Sequence, residues 1–248
     1  MHEKERHDKI LDILYHQKTV SVSKLADAIF CSNATLRRDL IKLEKDGHLQ
    51  RAHGSVTLIK GNNEFSFPFR ETVSLREKEY IARLAIDYLS DNMSIFLDSS
   101  STTYTLCQYL DKKLIVATNS LKVATVLNTH EHIELYMAGG LVKKRSSAVL
   151  GEKSIAFVGN FNADIAFISC RGVSEKGLFE ADFHQAMVKQ AMINNAKKTV
   201  LLLDHSKYDS EHVFVLARWE QIDALVTDKE PGATYLELFE QLDIDVVY

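Results

Sequence analysis

Four stretches of the 248-residue chain place hydroxyl, amide and cationic side chains where a bound anion could use them. Asp98-Ser99-Ser100-Ser101-Thr102-Thr103 sets six polar residues between an apolar run and a helical pattern. Small hydroxyls beside the unpaired N–H groups of a helix start make an anion cradle, and the helix dipole favours phosphate. A simple Ser/Thr cap is the alternative, but three serines and two threonines exceed what one cap uses. Thr118-Asn119-Ser120 repeats the theme, and there capping alone explains the residues equally well. Gly139-Gly140 either lets the backbone approach a ligand closely or simply turns. Lys143, Lys144 and Arg145 follow, with Arg145 a candidate charge partner and a solvated surface the alternative. In Asp204-His205-Ser206-Lys207, Lys207 offers a point charge for phosphate and Asp204 could orient it or a sugar hydroxyl.

A fifth stretch carries different chemistry. In Cys31-Ser32-Asn33-Ala34-Thr35-Leu36-Arg37-Arg38-Asp39-Leu40, continuing to Leu43, Ser32 is a good N-cap and Leu36, Leu40 and Leu43 form one narrow apolar stripe. Asn33, Thr35, Arg37, Arg38 and Lys42 project from the other faces. Asn suits adenine edges, Arg guanine edges or phosphates, and Thr either, so the helix suits a DNA major groove. A solvated helix with ordinary arginines is the plainer reading.

The elements around that helix favour the first reading. Ile10, Leu11, Ile13 and Leu14 mark one helix, and a second begins near Ser21 with Leu25, Ala26 and Ile29. Gly47 suits a helix stop, and residues 49–58 read as two short strands meeting at His53-Gly54. Three helices and a hairpin in this order make a winged helix-turn-helix over residues 1–58, with Arg51 and His53 on the wing to reach phosphate or the minor groove.

Residues 59–73 read as a linker, semi-extended over 65–69 around Pro68. Ser74-Leu75-Arg76-Glu77 has the form of a capping box before a helix running to about Leu89. Over 74–248, short apolar runs at 95–97, 114–117, 133–137, 165–168, 200–203, 225–226 and 246–247 alternate with helical patterns at 103–110, 121–128, 182–196 and 234–242. That alternation predicts an α/β domain with a largely parallel sheet, whose ligands sit beyond the carboxyl ends of the strands.

Composition bounds the rest. Hydrophobic and charged fractions of 46% and 26% are those of an ordinary globular protein. Residues 1–60 hold 11 Lys and Arg against 8 Asp and Glu, whereas the remainder nets −7, a split compatible with a nucleic-acid contact confined to the head. Cys31, Cys107 and Cys170 lie far apart without metal spacing, which argues against zinc and a disulfide framework. No apolar run has signal-peptide or membrane-helix length, and a cytoplasmic protein without membrane, metal or cofactor is the expectation.

Ser32, Thr35 and Arg37-Arg38-Asp39-Leu40, with the wing His53-Gly54-Ser55, resemble the DeoR-type family of bacterial transcription regulators. Arg70, Lys78-Glu79-Tyr80-Ile81-Ala82, the four polar loops and Tyr208 extend the resemblance along essentially the whole chain. The family's second wing glycine is Ser55 here. The resemblance implies a sensor domain similar to the sugar-phosphate isomerase and CoA-transferase fold, taking a phosphorylated sugar or related metabolite through those loops. It implies a carbohydrate-operon repressor acting on a double-stranded DNA operator as a homodimer or homotetramer.

A sugar-phosphate isomerase-like enzyme with an accessory head is the competing reading, and it needs a base and an acid near a bound carbonyl. Ser169-Cys170-Arg171-Gly172 stands where related isomerases have a Gly-Ala-Asp-Gly-like run, so the aspartate is Arg171 and no catalytic residue is assigned. Arg171 becomes a candidate for holding an anion. Glu180 and Asp182 are candidate acid/base or sugar-hydroxyl partners, with helix capping an equal reading for Asp182, and Gln185 stands where the family more often has Glu. Cys170 reads as a buried structural thiol.

Overall fold

The computed structural model describes residues 2–45, 48–52, 54–59 and 65–248, with Lys4, Tyr15 and His16 described by backbone alone. Gly47, His53 and residues 60–63 lie outside the described residues. The chain divides into Met1–Phe65 and Ser66–Tyr248.

The first unit runs α1 (Glu3–Gln17), β1 (Thr19–Ser21), α2 (Val22–Ile29), α3 (Asn33–Lys45), β2 (Leu49–Ala52) and β3 (Ser55–Leu58). Its apolar stripes meet in one core: Ile10 and Leu14 of α1, Leu25 and Ile29 of α2, and Leu36, Leu40 and Leu43 of α3 are all buried. Two hydroxyls start the crossing helices. Ser21 accepts the Lys24 N–H at 3.3 Å, and Ser32 accepts that of Thr35 at 3.2 Å. Phe30 makes the turn between them in the left-handed region, at φ 55°.

The wing holds one strand more than the two that the sequence predicts. Its order is β1-β3-β2, all antiparallel, and the three residues of β1 are too few to show a pattern. Ala52 pairs with Ser55 across the wing turn, where Gly54 has φ 80°. Ser55, in place of a second glycine, donates its hydroxyl to Ala52 O at 2.7 Å and so ties the turn.

The second unit runs α4 (Phe67–Thr72), α5 (Leu75–Ala85), β4 (Ser94–Leu97), α6 (Ser101–Cys107), β5 (Leu114–Thr118), α7 (Leu121–Leu127), β6 (Ile133–Met137), β7 (Leu141–Lys143), β8 (Ala148–Leu150), α8 (Glu152–Val158), β9 (Ala163–Ile168), β10 (Gly172–Ser174), β11 (Gly177–Glu180), α9 (Phe183–Asn194), β12 (Ala196–Leu203), β13 (Phe214–Ala217), β14 (Ala224–Thr227), α10 (Ala233–Gln241) and β15 (Asp245–Val247). Seven strands form one parallel sheet in the order β15-β14-β12-β9-β4-β5-β6.

Alternate residues of each strand serve opposite layers, which explains the continuous apolar runs. Ile95, Leu97, Phe167 and Leu202 pack with Ile81 of α5, Leu106 of α6 and Val123 of α7. Phe96, Ala166, Ile168 and Leu203 pack with Val158 of α8, Val188 of α9 and Phe239 of α10. The result is an α/β/α sandwich, the α/β class with a largely parallel sheet that the sequence predicts.

Two expectations fail at the entry to this unit. Residues 67–72 form helix α4 instead of extended linker, because Phe67 and Phe69 have a core to enter and Pro68 is tolerated in a first helical turn. Ser74 is no capping-box residue: it sits in the left-handed region at φ 50°, and its buried Oγ has no hydrogen-bond partner among the described residues. The chain reverses there directly from α4 into α5, which turns the hydroxyl away from cap geometry.

The sheet order also locates the ligand crevice. From β4 the chain moves outward through β5 and β6, then returns to the other side of β4 and continues outward through β9, β12, β14 and β15. Beyond the carboxyl ends of β4 and β9 the two connection directions diverge, which opens a crevice at that point in such sheets.

Candidate functional site

Asp98 and Ser169 are the residues that follow β4 and β9, so they flank the divergence point. Asp98 is fully buried and every acceptor position it offers is used. Its Oδ1 accepts the Ser100 N–H at 2.8 Å and the Thr103 hydroxyl at 2.7 Å; its Oδ2 accepts the Ser169 N–H at 3.1 Å. The Lys189 ammonium, from α9, lies 3.1 Å from the same Oδ2, donates to Ser169 O at 2.7 Å, and pairs closely with Glu180.

Burial alone would raise the Asp98 carboxyl, but Lys189 and the hydrogen bonds from Thr103, Ser100 and Ser169 outweigh it and hold the group ionised below the ordinary carboxylate range. Burial likewise opposes the charge on Lys189, and Asp98 with Glu180 reverses that, keeping the ammonium protonated. This triad lies buried beside the carboxyl ends of β4 and β9.

The second cation stands above it. Lys207 donates to Ser169 Oγ at 2.9 Å and lies 3.6 Å from Asp204, whose carboxyl burial would raise but Lys207, Ser206 and Lys78 hold low. His205 fixes this turn: its backbone N–H donates to Asp228 Oδ1 at 2.7 Å, and its ring nitrogen Nδ1 is 2.6 Å from Oδ2. Facing the turn, Ser100 caps α6 through the Thr103 N–H, and Ser99 donates to Gln185 at 3.3 Å. Thr102 is fully buried, and among the described residues its hydroxyl has no partner. A buried hydroxyl without a partner costs free energy unless something occupies it.

The structure therefore brings Asp98, Ser99, Ser100, Thr103, Glu180, Asp204 and Lys207 into one hydrogen-bonded region, with Ser101 and Thr102 in the first turn of α6. The other candidates are placed less centrally. Thr118 donates to Leu97 O at 2.6 Å, while Asn119 donates to Val149 O and keeps a buried Oδ1 that has no partner among the described residues. Ser154 donates to Gly139 O, and at Gly140, with φ 148°, a Cβ would stand 2.6 Å from Leu150 O, so hairpin packing itself requires a glycine. Arg145 is exposed, and its carbonyl accepts the Phe67 N–H at 2.7 Å.

Arg171 is half-buried, beside the half-buried His212, which burial and that guanidinium together keep neutral. Asp182 caps α9 through the Gln185 N–H at 3.0 Å and pairs with Lys143 at 2.6 Å. Cys170 is buried, and burial pushes its thiol up to about 12, which leaves it inert.

In the head, Asn33, Arg37 and Arg38 stand exposed on α3. Arg38 donates back to Ala34 O at 3.3 Å, whereas Arg37 has no ion pair among the described residues. Ser32 and Thr35 share a 3.0 Å hydroxyl contact. Lys42 is paired with Glu3 at 2.6 Å, and Arg51 with Glu44 at 2.6 Å, so both exchange a carboxylate for any phosphate they meet.

Asp39 points the other way. It is buried and receives Arg6 of α1 through both oxygens, at 2.8 and 3.1 Å, with His7 at 3.1 Å. Glu3, His7 and Asp39 bring three ligand atoms within 4.8 Å, but Arg6 and Lys42 already supply the countercharge a cation would bring. The cluster is the clamp between α1 and the exposed helix.

Comparison with known proteins agrees with this division. The model of the DeoR-like helix-turn-helix domain matches residues 6–62, and that of the DeoR C terminal sensor domain matches residues 73–229. The chain belongs to the DeoR family of transcription regulators. The HTH-type transcriptional repressor GlcR of Bacillus subtilis is 31% identical over 100% of this chain and 96% of its own length. The glycerol-3-phosphate regulon repressor of Escherichia coli K12 is 28% identical over 96% of each chain. Among solved structures, ribose 5-phosphate isomerase A of Methanocaldococcus jannaschii overlaps 53% of either chain at a TM-score of 0.40 and 20% identity.

This DeoR-family regulator resembles DNA-binding regulators and not enzymes across its length. Among its described residues, no helix is long and apolar enough to cross a membrane. Sequence reasoning gave no role to Asp39 and Lys78, although both fall inside the motifs that carry the resemblance, and it passed over Lys189 altogether. A signal was present for the lysines. Lys78 falls on the stripe of Ile81, Ala82 and Ala85, and Lys189 on that of Gln185, Met192 and Ile193, and a lysine on a buried stripe needs a partner.

Proposed function

We propose that this protein is a repressor of a carbohydrate-metabolism operon, that its sensor unit binds a phosphorylated sugar or related metabolite, and that it acts without turnover. The observation that carries the reading is the convergence of Lys207, the hydroxyls of residues 99–103 and the Asp98–Lys189–Glu180 triad at the crevice between β4 and β9. Lys207 and the unpartnered Thr102 hydroxyl supply charge and a hydrogen bond to a phosphoryl group. Asp204 and the Asn119 amide oxygen are the acceptors for sugar hydroxyls, Gly139, Gly140, Thr118 and Arg145 border the far side, and Arg171 adds a cation at the rim. The names of two relatives, a repressor and a glycerol-3-phosphate regulon repressor, point the same way.

Turnover is disfavoured by the carboxylates themselves. Glu180 is bound by Lys189 and Asp182 by the helix cap and Lys143, so neither is held as a base. On DNA, Asn33 and Thr35 face base edges, Arg37 and Arg38 share base and phosphate contacts between them, and Ser32, Lys42, Arg51 and His53 serve the backbone. A cytoplasmic homodimer or homotetramer would set two such helices on paired half-sites. Leu141, Val142 and Val213, left exposed on the second unit, support such contacts.

The test is a mobility-shift assay on the DNA upstream of the protein's own gene, with a panel of sugar phosphates added. Release of the wild type by one member, and retention of Lys207→Ala on DNA at the same concentration, is the expected result. Release of both alike would place the effector elsewhere, and turnover of any member would restore the enzyme reading.

A further inference from the structure

The junction between α4 and α5 is the part of the second unit that follows the head in the chain, and it holds a lysine with no carboxylate of its own. Lys78 is 3% exposed. Its ammonium donates to the carbonyls of Arg70 and Val73, at the end of α4, where a helix has no internal donors left. Two of its three donors are thereby used, and among the described residues no side chain takes the third.

The charged groups facing it are Lys207 and Asp204 from the turn after β12, Arg70 from α4, and Glu77 from its own helix. Burial and Lys207 together outweigh the acidic groups and bring the ammonium down to about 7. Asp98 and Glu180 pair with Lys189, and Asp204 with Lys207, whereas among the described residues no carboxylate lies within ion-pair distance of Lys78.

Helix α4 is also seated on the helices that follow the polar loops. Phe67 meets Tyr104 of α6 edge-on at 5.5 Å, Lys122 of α7 lies 5.7 Å from the same ring, and Arg70 stacks over it at 5.4 Å. The buried Ser74 hydroxyl beside it has no partner among the described residues, so the junction is held by Lys78 and not by a cap.

We propose that Lys78 couples the pocket to the segment leading to the head: a phosphate held at the 204–207 turn supplies the counterion Lys78 lacks and draws its ammonium from the last carbonyls of α4. This inference rests on the pocket reading given above and adds how occupancy leaves the pocket. Lys78 is a positioning residue, acting through α4. Binding of a phosphate dianion then carries a proton onto Lys78 above neutral pH, and the end of α4 loses its donors and loosens.

The test uses the full chain and inorganic phosphate as the probe, with hydrogen exchange read over residues 66–77 and calorimetry at pH 8 in two buffers of different ionisation enthalpy. In the wild type, phosphate should speed exchange in that segment severalfold and take up protons. In Lys78→Met, phosphate should bind more weakly, with neither effect; Lys78→Arg, which keeps a charge that does not titrate, should show no proton uptake. Phosphate binding that leaves 66–77 unchanged in the wild type, or changes it equally in Lys78→Met, overturns the coupling. If Lys78→Met fails to fold, the wild-type exchange and the Lys78→Arg proton count decide alone. An isotherm with no phosphate binding at all would instead fail the pocket reading, and the coupling with it.

Discussion

The two units of this protein use their cations in opposite ways. In the head, Lys42 and Arg51 lie on the surface, each against one glutamate, in pairs that water screens and that cost little to exchange. In the second unit Lys78 and Lys189 are sealed from water, so their charges are fixed by what surrounds them. A surface cation reads whatever anion arrives. A buried one responds to an anion by a change in protonation or position, which is what a sensor needs.

The sharpest way to break this comparison is Lys189→Met. It leaves Asp98 and Glu180 facing each other in the core, and the loss should be about 3–5 kcal/mol. Trp219 is the chain's single tryptophan and lies buried in the second unit, so urea unfolding followed by its fluorescence reads that unit. A loss below about 1 kcal/mol would mean that the triad behaves like a surface pair.

Asp39→Asn probes the one buried carboxylate of the head clamp. Removing charge-assisted bonds from Arg6 and His7 should cost about 1.5–3 kcal/mol. Circular dichroism should show early melting of the head while the Trp219 transition stays in place. DNA affinity should fall although Asp39 never meets DNA.

On the exposed face, Arg37→Ala and Arg38→Ala should each weaken operator binding, by about 1–3 kcal/mol where the arginine reads a base. The variant that loses a phosphate contact should weaken all sequences alike and lower the salt slope by about one. The pH response of Lys78 tests the burial itself. Its folded-state value, about 7, lies below the 10.5 of an unperturbed lysine, so the unfolded chain binds more protons above pH 7. Stability therefore rises with pH from 7 towards 10 at this residue, by at most about 1.4 kcal/mol per unit. Comparing urea midpoints of the wild type and Lys78→Met across that range isolates the slope, and parallel curves would remove the burial argument.

Most of the architecture was legible from the sequence because it rests on long patterns. The stripe of Leu36, Leu40 and Leu43 and the apolar runs of β4, β5, β9 and β12 are repeated enough to be read directly. Strands β1, β7, β8, β10, β11 and β13 were not, because each spans only three or four residues and lies outside the alternation of the parallel sheet. Ser74 misled for a physical reason: its spacing to Glu77 is that of a capping box, but the left-handed turn that joins α4 to α5 overrides the cap.

The polar loops announced themselves through composition, since runs of serine and threonine have no place in a buried strand end unless they bond something. The charges beneath them did not. Lys189 gains its meaning only when β9 and α9 bring it to Asp98, 91 residues earlier in the chain. Asp39 looks in sequence like part of the DNA-reading run, and only packing shows that it turns inward to Arg6.

The most direct test of the pocket is a crystal structure of the full chain grown with the sugar phosphate that releases it from DNA in the mobility-shift assay. The account predicts the phosphoryl group between Lys207 and the hydroxyls of residues 99–103, with the Thr102 hydroxyl engaged. A phosphoryl group bound away from the crevice between β4 and β9, with Lys207 still on Ser169 and Thr102 still unpartnered, would contradict it.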